Sequence, residues 1–264
     1  MKRLLSVPLA CLLGLLSGCL KMKEDLVVLP DGSGKLVLTI SIKEDNEMAK
    51  DKFTEEEMMS EDPEKMLKEM PGIVAFLRPK LEKKNGYATI TTVAYFEDVS
   101  KVRIIGESEG GDGKALNEFK FRKEGDGFVF EVGGDKVGDG LKELGATDDA
   151  PPELKKQMEG MIKEMLKDFE FTVQVKLPGA VKEITTFQKK EGRTASFTVG
   201  EKDIAGVNDM KKISAMSTLK AVCGPSEVSA EEQAAFKAEL EKGKAEWAEL
   251  RKEMKANFDK KPKK

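Results

Sequence analysis

Apolar and polar residues alternate in short runs along most of this chain, and in a few stretches the period lengthens to that of a helix. Leu36, Leu38, Ile40 and Ile42 alternate with Val37, Thr39 and Ser41, which predicts a strand over residues 35–42. Residues 26–29 are its predicted partner, because Pro30-Asp31-Gly32-Ser33-Gly34 supplies the Pro and Gly of a tight reversal. A strand follows over 87–96, with Ile90, Ala94 and Phe96 on one face, and it runs into a short turn or helix at Glu97-Asp98-Val99. Residues 116–122 and 128–132 form a predicted hairpin. Phe119 and Phe121 share one face of it, Glu118, Lys120 and Arg122 the other, and Phe128, Phe130 and Val132 supply the matching apolar row. Phe171, Val173, Val175 and Leu177 alternate strictly up to Pro178-Gly179. Residues 181–187 and 193–199 are expected to pair as a hairpin, with a last strand over 215–223.

The helical stretches differ in kind. Residues 44–70 are charged and rich in Met, and predict one or two helices broken at Asp62-Pro63, where Pro suits a first turn. Leu154, Met158, Met161, Ile162, Met165, Leu166 and Phe169 make one apolar stripe over 152–169. A short helix is expected over 203–213. The chain closes with a long helix that Ser229 and Glu232 open as a capping box. Phe236, Leu240, Gly243, Trp247, Leu250 and Met254 then follow a 4-3 heptad seam with a glycine in its middle. Phe236, Leu240, Trp247 and Leu250 are the candidate docking residues, seated on the protein's own domain or on a partner. Residues 260–264 form a basic tail. The pattern predicts an α+β fold: a mostly antiparallel, curved sheet covered by amphipathic helices, with a long C-terminal helix.

The N-terminus carries an address. Lys2 and Arg3 precede the apolar run 4–16, and Ser17-Gly18-Cys19 ends it, the layout of a secretory signal. The run is shorter than the roughly 20 residues a bilayer-spanning helix needs. Leu16-Ser17-Gly18-Cys19 resembles the bacterial lipoprotein box. That resemblance implies cleavage between Gly18 and Cys19 and a diacylglyceryl thioether on Cys19, the anchor and the route to the membrane. Residues 1–18 would then be the signal peptide, 19–25 a lipidated tether, 26–225 the α+β domain, and 226–264 the C-terminal helix with its tail. Leu20 stands where an Asp marks inner-membrane retention in two-membrane bacteria, which favours the outer membrane in such a host.

Composition narrows the chemistry. The cleaved chain carries 43 Lys and Arg against 48 Asp and Glu, mildly acidic, with no global basic field for nucleic acid. It contains no histidine, which excludes Ser-His-Asp and Cys-His catalysis and His-ligated zinc. With Cys19 thioether-linked, Cys223 has no partner for an intrachain disulfide. Gly32-Ser33-Gly34-Lys35 lacks the spacing of a phosphate loop, and Leu36 stands where Ser or Thr is required. The glycine-rich stretches 106–113 and 133–140 lack the period of calcium-binding repeats. Met48, Met58, Met59, Met66 and Met70 fit adaptable core packing better than a soft-metal site. No cofactor, metal set or catalytic residue is expected.

Three segments carry a family resemblance. They are Cys19 with its polar spacer and Leu26-Val27-Val28-Leu29-Pro30-Asp31-Gly32-Ser33-Gly34, then Tyr95-Phe96-Glu97-Asp98-Val99, then Val173-Gln174-Val175-Lys176-Leu177-Pro178-Gly179-Ala180-Val181. In this order they resemble the LppM-like lipoprotein domain, spanning roughly residues 19–205. The resemblance implies an exported, lipid-anchored α+β domain with no assigned reaction. The expected function is therefore a non-enzymatic binding or assembly module of the cell envelope, whose partner is an envelope protein. The alternative is carriage of an apolar, lipid-like ligand between sheet and helices.

Overall fold

The strand that opens the fold begins at Leu20 rather than Leu26. In the computed structural model the described residues are 20–45, 53–105, 115–133, 160, 167–204 and 218–260. Strand β1 (Leu20–Val28) pairs antiparallel with β2 (Gly34–Lys43) along its whole length. Residues 20–25, expected as a tether, are therefore part of the sheet. The reason lies in their own alternation: Leu20 and Met22 are buried while Lys21 and Lys23 are exposed, so the run continues the inward row of Leu26 and Val28. The connecting turn places Gly32 at φ +83°, the left-handed region that glycine reaches without Cβ strain.

The fold is α+β, built on two mostly antiparallel, open sheets. The larger contains β1, β2, β3 (Ile73–Phe76), β4 (Lys80–Lys84), β5 (Tyr87–Phe96), β9 (Glu170–Lys176), β11 (Lys189–Glu191) and β12 (Thr194–Gly200). Its order is β11-β12-β9-β1-β2-β5-β3, with β4 also paired to β5. The β1–β9 pair is parallel. The smaller sheet has the order β10-β13-β8-β7-β6, from β6 (Arg103–Ile105), β7 (Ala115–Glu124), β8 (Gly127–Gly133), β10 (Val181–Thr185) and β13 (Lys220–Cys223).

Register corrects one pairing. Residues 181–187 do not fold back on 193–199. Instead β11 makes the hairpin with β12, while β10 leaves for the smaller sheet and pairs with β13. The split is physical: β12 needs its other edge for β9, and Val181 joins the buried set of the smaller sheet beside Cys223. The 115–133 hairpin stands as read, with Phe121 stacked on Phe128 at 5.4 Å and Phe119 on Phe130 at 6.0 Å. Strands β3 and β4 were not legible. The first is four residues long, and the second, Lys-Leu-Glu-Lys-Lys, has a single apolar residue.

Helix α1 (Glu55–Met59) is capped by Thr54, and α2 (Pro63–Glu69) by Asp62, whose carboxylate accepts from the Glu64 N–H with Pro63 in the first turn. Helix α3 (Ala230–Lys260) is the long C-terminal helix. Ser229 Oγ accepts from the Glu232 N–H at 3.0 Å. Among the described residues, both sheets and helices α1, α2 and α3 contribute to one continuous buried cluster. The stripe over 152–169 lies almost wholly outside the described residues, as do the glycine-rich stretches, most of 203–213 and residues 261–264.

Candidate functional site

Helix α3 spends its apolar seam on its own domain. Phe236, Leu240, Gly243, Trp247, Leu250 and Met254 are all buried. Phe76 meets Trp247 edge to face at 5.3 Å, and Tyr95 meets Phe236 at 6.3 Å. Gly243, a weak point by propensity, is a notch: a Cβ there would lie 2.7 Å from the Tyr95 ring. Of the two seats expected for Phe236, Leu240, Trp247 and Leu250, the protein's own domain and a partner, the helix takes the first. That face is already occupied by the sheet, because β3 and β5 present aromatic rings to it.

Polar contacts fix the helix along its length. Arg193 grips the Glu232 carboxylate at 3.1 Å, so this side chain is drawn away from the reciprocal half of the capping box. Gln233 donates to Asp31 at 3.0 Å, and Lys244 to Glu97 at 2.6 Å. Arg78 pairs with Glu253 and Arg251 with Glu64 at the far end. In the middle, Lys35 Nζ and the Tyr95 hydroxyl both donate to Glu239 Oε1, at 2.7 and 2.8 Å. Burial pushes Glu239 upward, and these two donors outweigh it, leaving the carboxyl below its ordinary range. Burial, then the Glu239 carboxylate, raises the Tyr95 phenol.

A second feature lies on the opposite face of the large sheet. The inward rows of β1, β2, β5, β9 and β12 are apolar apart from Glu24 and Thr92. Glu24 stands between Val173 of β9 and Leu38 of β2. No hydrogen bond or ion pair to the carboxylate is present among the described residues, and burial alone raises it to about 7. Glu24 and Leu38 are only half-buried, whereas Met22, Leu26, Leu36 and Ile40 beside them on the same two strands are buried. Sequence reading placed Glu24 in the tether. Its position inside the Leu20-Met22-Leu26-Val28 alternation was the signal that identifies it.

A cleft of about 510 Å³ opens where the 30–32 turn meets the β7–β8 hairpin, lined by Asp31, Asp98, Phe121, Lys123, Asp126 and Phe128 among others. Two of its acidic groups, Asp31 and Asp98, are engaged. Asp31 accepts from Ser33 and Gln233, which outweigh the upward push of burial and hold it low, and Asp98 accepts from the Ser100 N–H. Cys223 is buried and free, and burial raises its thiol. Among the described residues no group of three or more His, Cys, Asp or Glu is placed to hold a metal ion, and no helix is long and apolar enough to cross a membrane. Gly18 and Cys19 lie outside the described residues, one step before β1.

No protein-family model matches the chain, and a comparison with curated proteins gives no match. Among solved structures, the chain is similar to the folded domain of Mycobacterium tuberculosis LppM, at 13% identity and a TM-score of 0.37, over 82% of this chain and 94% of that one. It is also similar to an M1 zinc metallopeptidase from Deinococcus radiodurans, at 10% identity and a TM-score of 0.23, over 79% of this chain and 42% of that one. At these values neither likeness assigns a fold, and the α+β description rests on the strand pairing itself.

Proposed function

We propose that the protein is an exported bacterial lipoprotein, held in the cell envelope by acyl chains on Cys19, whose domain is a non-enzymatic binding or assembly module. The observation that carries this is the join at residue 19: the box Leu16-Ser17-Gly18-Cys19 ends where the folded sheet starts, at Leu20. Two or more acyl chains hold stably where one binds only marginally. The lack of any histidine excludes His-based proton transfer. Leu20 after the lipidated residue favours the outer membrane in a host with two membranes.

Detergent-phase partitioning of Cys19→Ser tests the anchor. Wild type is expected in the detergent phase, and the variant as an uncleaved precursor lacking acyl groups. Wild type recovered wholly in the aqueous phase would overturn the reading.

The half-open Glu24–Leu38 row favours a second reading, carriage of an apolar, lipid-like ligand on the inner sheet face. Organic extraction of the purified protein followed by mass spectrometry tests it. A stoichiometric lipid is expected, and one lost on Leu38→Glu. Extracts without lipid would remove this reading.

A further inference from the structure

We infer that the end of the large sheet carrying Leu20 is a contact face for the anionic headgroups of the bilayer, so that the anchor also sets the domain's orientation. This rests on the lipid anchor at Cys19 proposed above and adds to it a face and a class of lipid. The starting point is the missing spacer. Leu20 is buried and already paired with Ile42, so a single peptide step of about 3.8 Å separates Cys19 from the sheet. The headgroup layer is roughly 5–8 Å deep on each side of a bilayer, and strands rise about 3.4 Å per residue. The first rows of the sheet therefore enter that layer.

Those rows suit it. The Leu20 row continues through Ile42 and Ala88 to Lys83. One step further out lies the row Lys43–Tyr87–Lys84, closed by the exposed turn Asn85-Gly86. Asn85 and Gly86 have φ of 54° and 76°, the left-handed pair of a two-residue hairpin turn, and nothing lies within 4 Å of a Cβ on Gly86. The exposed Lys21 places its ammonium over the Tyr87 ring, 5.0 Å from the centroid. Lys83 and Lys84 are exposed and make no ion pair among the described residues, while Lys43 is bonded to Asp168. A tyrosine with free lysines is what a headgroup layer selects, the ring at the interface and the amines on phosphate.

Acidic groups are also present at this end, namely Glu44, Asp45, Asp168 and Glu201, with Glu170 and Glu82 one row inward of Leu20. The opposite end of the sheet is also charged. Asp31, Glu97, Asp98 and Asp126 gather there, and Lys35, Lys237 and Lys244 are each held in an ion pair, while Lys123 makes none among the described residues. Lys21, Lys83 and Lys84 are thus exposed lysines without an ion pair among the described residues, and they lie at the anchored end beside the carboxylates of that end.

The test uses the full-length lipidated protein inserted into preformed vesicles, either phosphatidylcholine alone or with phosphatidylglycerol. A membrane-impermeant acetylating reagent labels exposed amines, peptide mass spectrometry reads each lysine, and intact mass reads the acyl group. Lys21, Lys83 and Lys84 should label about five-fold more slowly in the anionic vesicles, the factor that about 1 kcal/mol of attraction per lysine gives. Lys123, at the far end, should label equally in both. K83E/K84E should abolish the slowing at Lys21. Equal labelling of Lys83 and Lys84 in both vesicles, with the acyl mass present, would overturn the face and leave the anchor standing. Absence of the acyl mass would overturn both.

Discussion

Two residues break the local rules of the elements that hold them, and both carry a prediction. Glu24 is a carboxylate on an apolar sheet face, raised by burial to about 7. The sign follows from the two protonation states. Below the unfolded value near 4.5 the group is neutral in both folded and unfolded chains and costs nothing. Between about 4.5 and 7 the unfolded chain ionises first, so stability falls as pH rises, and above 7 the loss is complete. Glu24→Gln should therefore stabilise the protein by about 1–3 kcal/mol at pH 8 and very little at pH 4.5, read by urea melts at both values. Equal effects at the two pH values would mean that the charge is not the cost. Gly243 is the second. In an open helix, Gly→Ala gains about 1 kcal/mol. Here the added methyl would meet the Tyr95 ring at 2.7 Å. Gly243→Ala should instead lose about 1–3 kcal/mol through overpacking. A stabilised variant would show that the helix can lift off Tyr95 without cost.

At the scale of elements, helix α3 behaves as part of the domain. Its 31 residues run about 46 Å, from Arg193 past Lys35 and Tyr95 to Phe76 and the two short helices. Trp247 is its deepest aromatic anchor, at 4% exposure. Trp247→Ala should cost about 3–5 kcal/mol, and the emission of the native protein, whose sole Trp this is, should be that of a buried indole. A water-exposed spectrum would contradict the packing. Removing residues 226–264 should uncover Phe76 and Tyr95 and raise binding of a hydrophobic dye. The seam was readable in advance because six residues kept one period over a long run. What it packs against was not, since a heptad seam has the same spacing on a sheet as on a partner. Strands with clean alternation, such as 35–42, 87–96 and 171–177, were equally readable. Strand β4 was not, because its stability comes from pairing with β5 and not from burial of its own side chains. The front of β1 escaped because Glu24 interrupts an otherwise regular inward row. The β10–β11 break escaped because one short turn can join two strands of one sheet or of two.

At the scale of the molecule, the position of the fold relative to the membrane follows from the start of β1. With Cys19 lipidated as proposed, a sheet that starts at Leu20 would not swing freely on a tether. Its β4–β5 hairpin end would face the bilayer, while the opposite end, with the 30–34 turn and the start of α3, would face away. Any binding or assembly role would then use the distal surfaces or the inner sheet face beside Glu24. The candidate anchor was legible in residues 16–19 alone, whereas the absence of a spacer needed the register of β1 and β2. Everything at this scale depends on the chemistry of one thiol. The most direct test is intact and N-terminal peptide mass analysis of the protein extracted from membranes. The account predicts a chain beginning at Cys19 that carries diacylglyceryl mass on that residue. A membrane-extracted chain that retains residues 1–18, or that begins at Cys19 without added acyl mass, would contradict it.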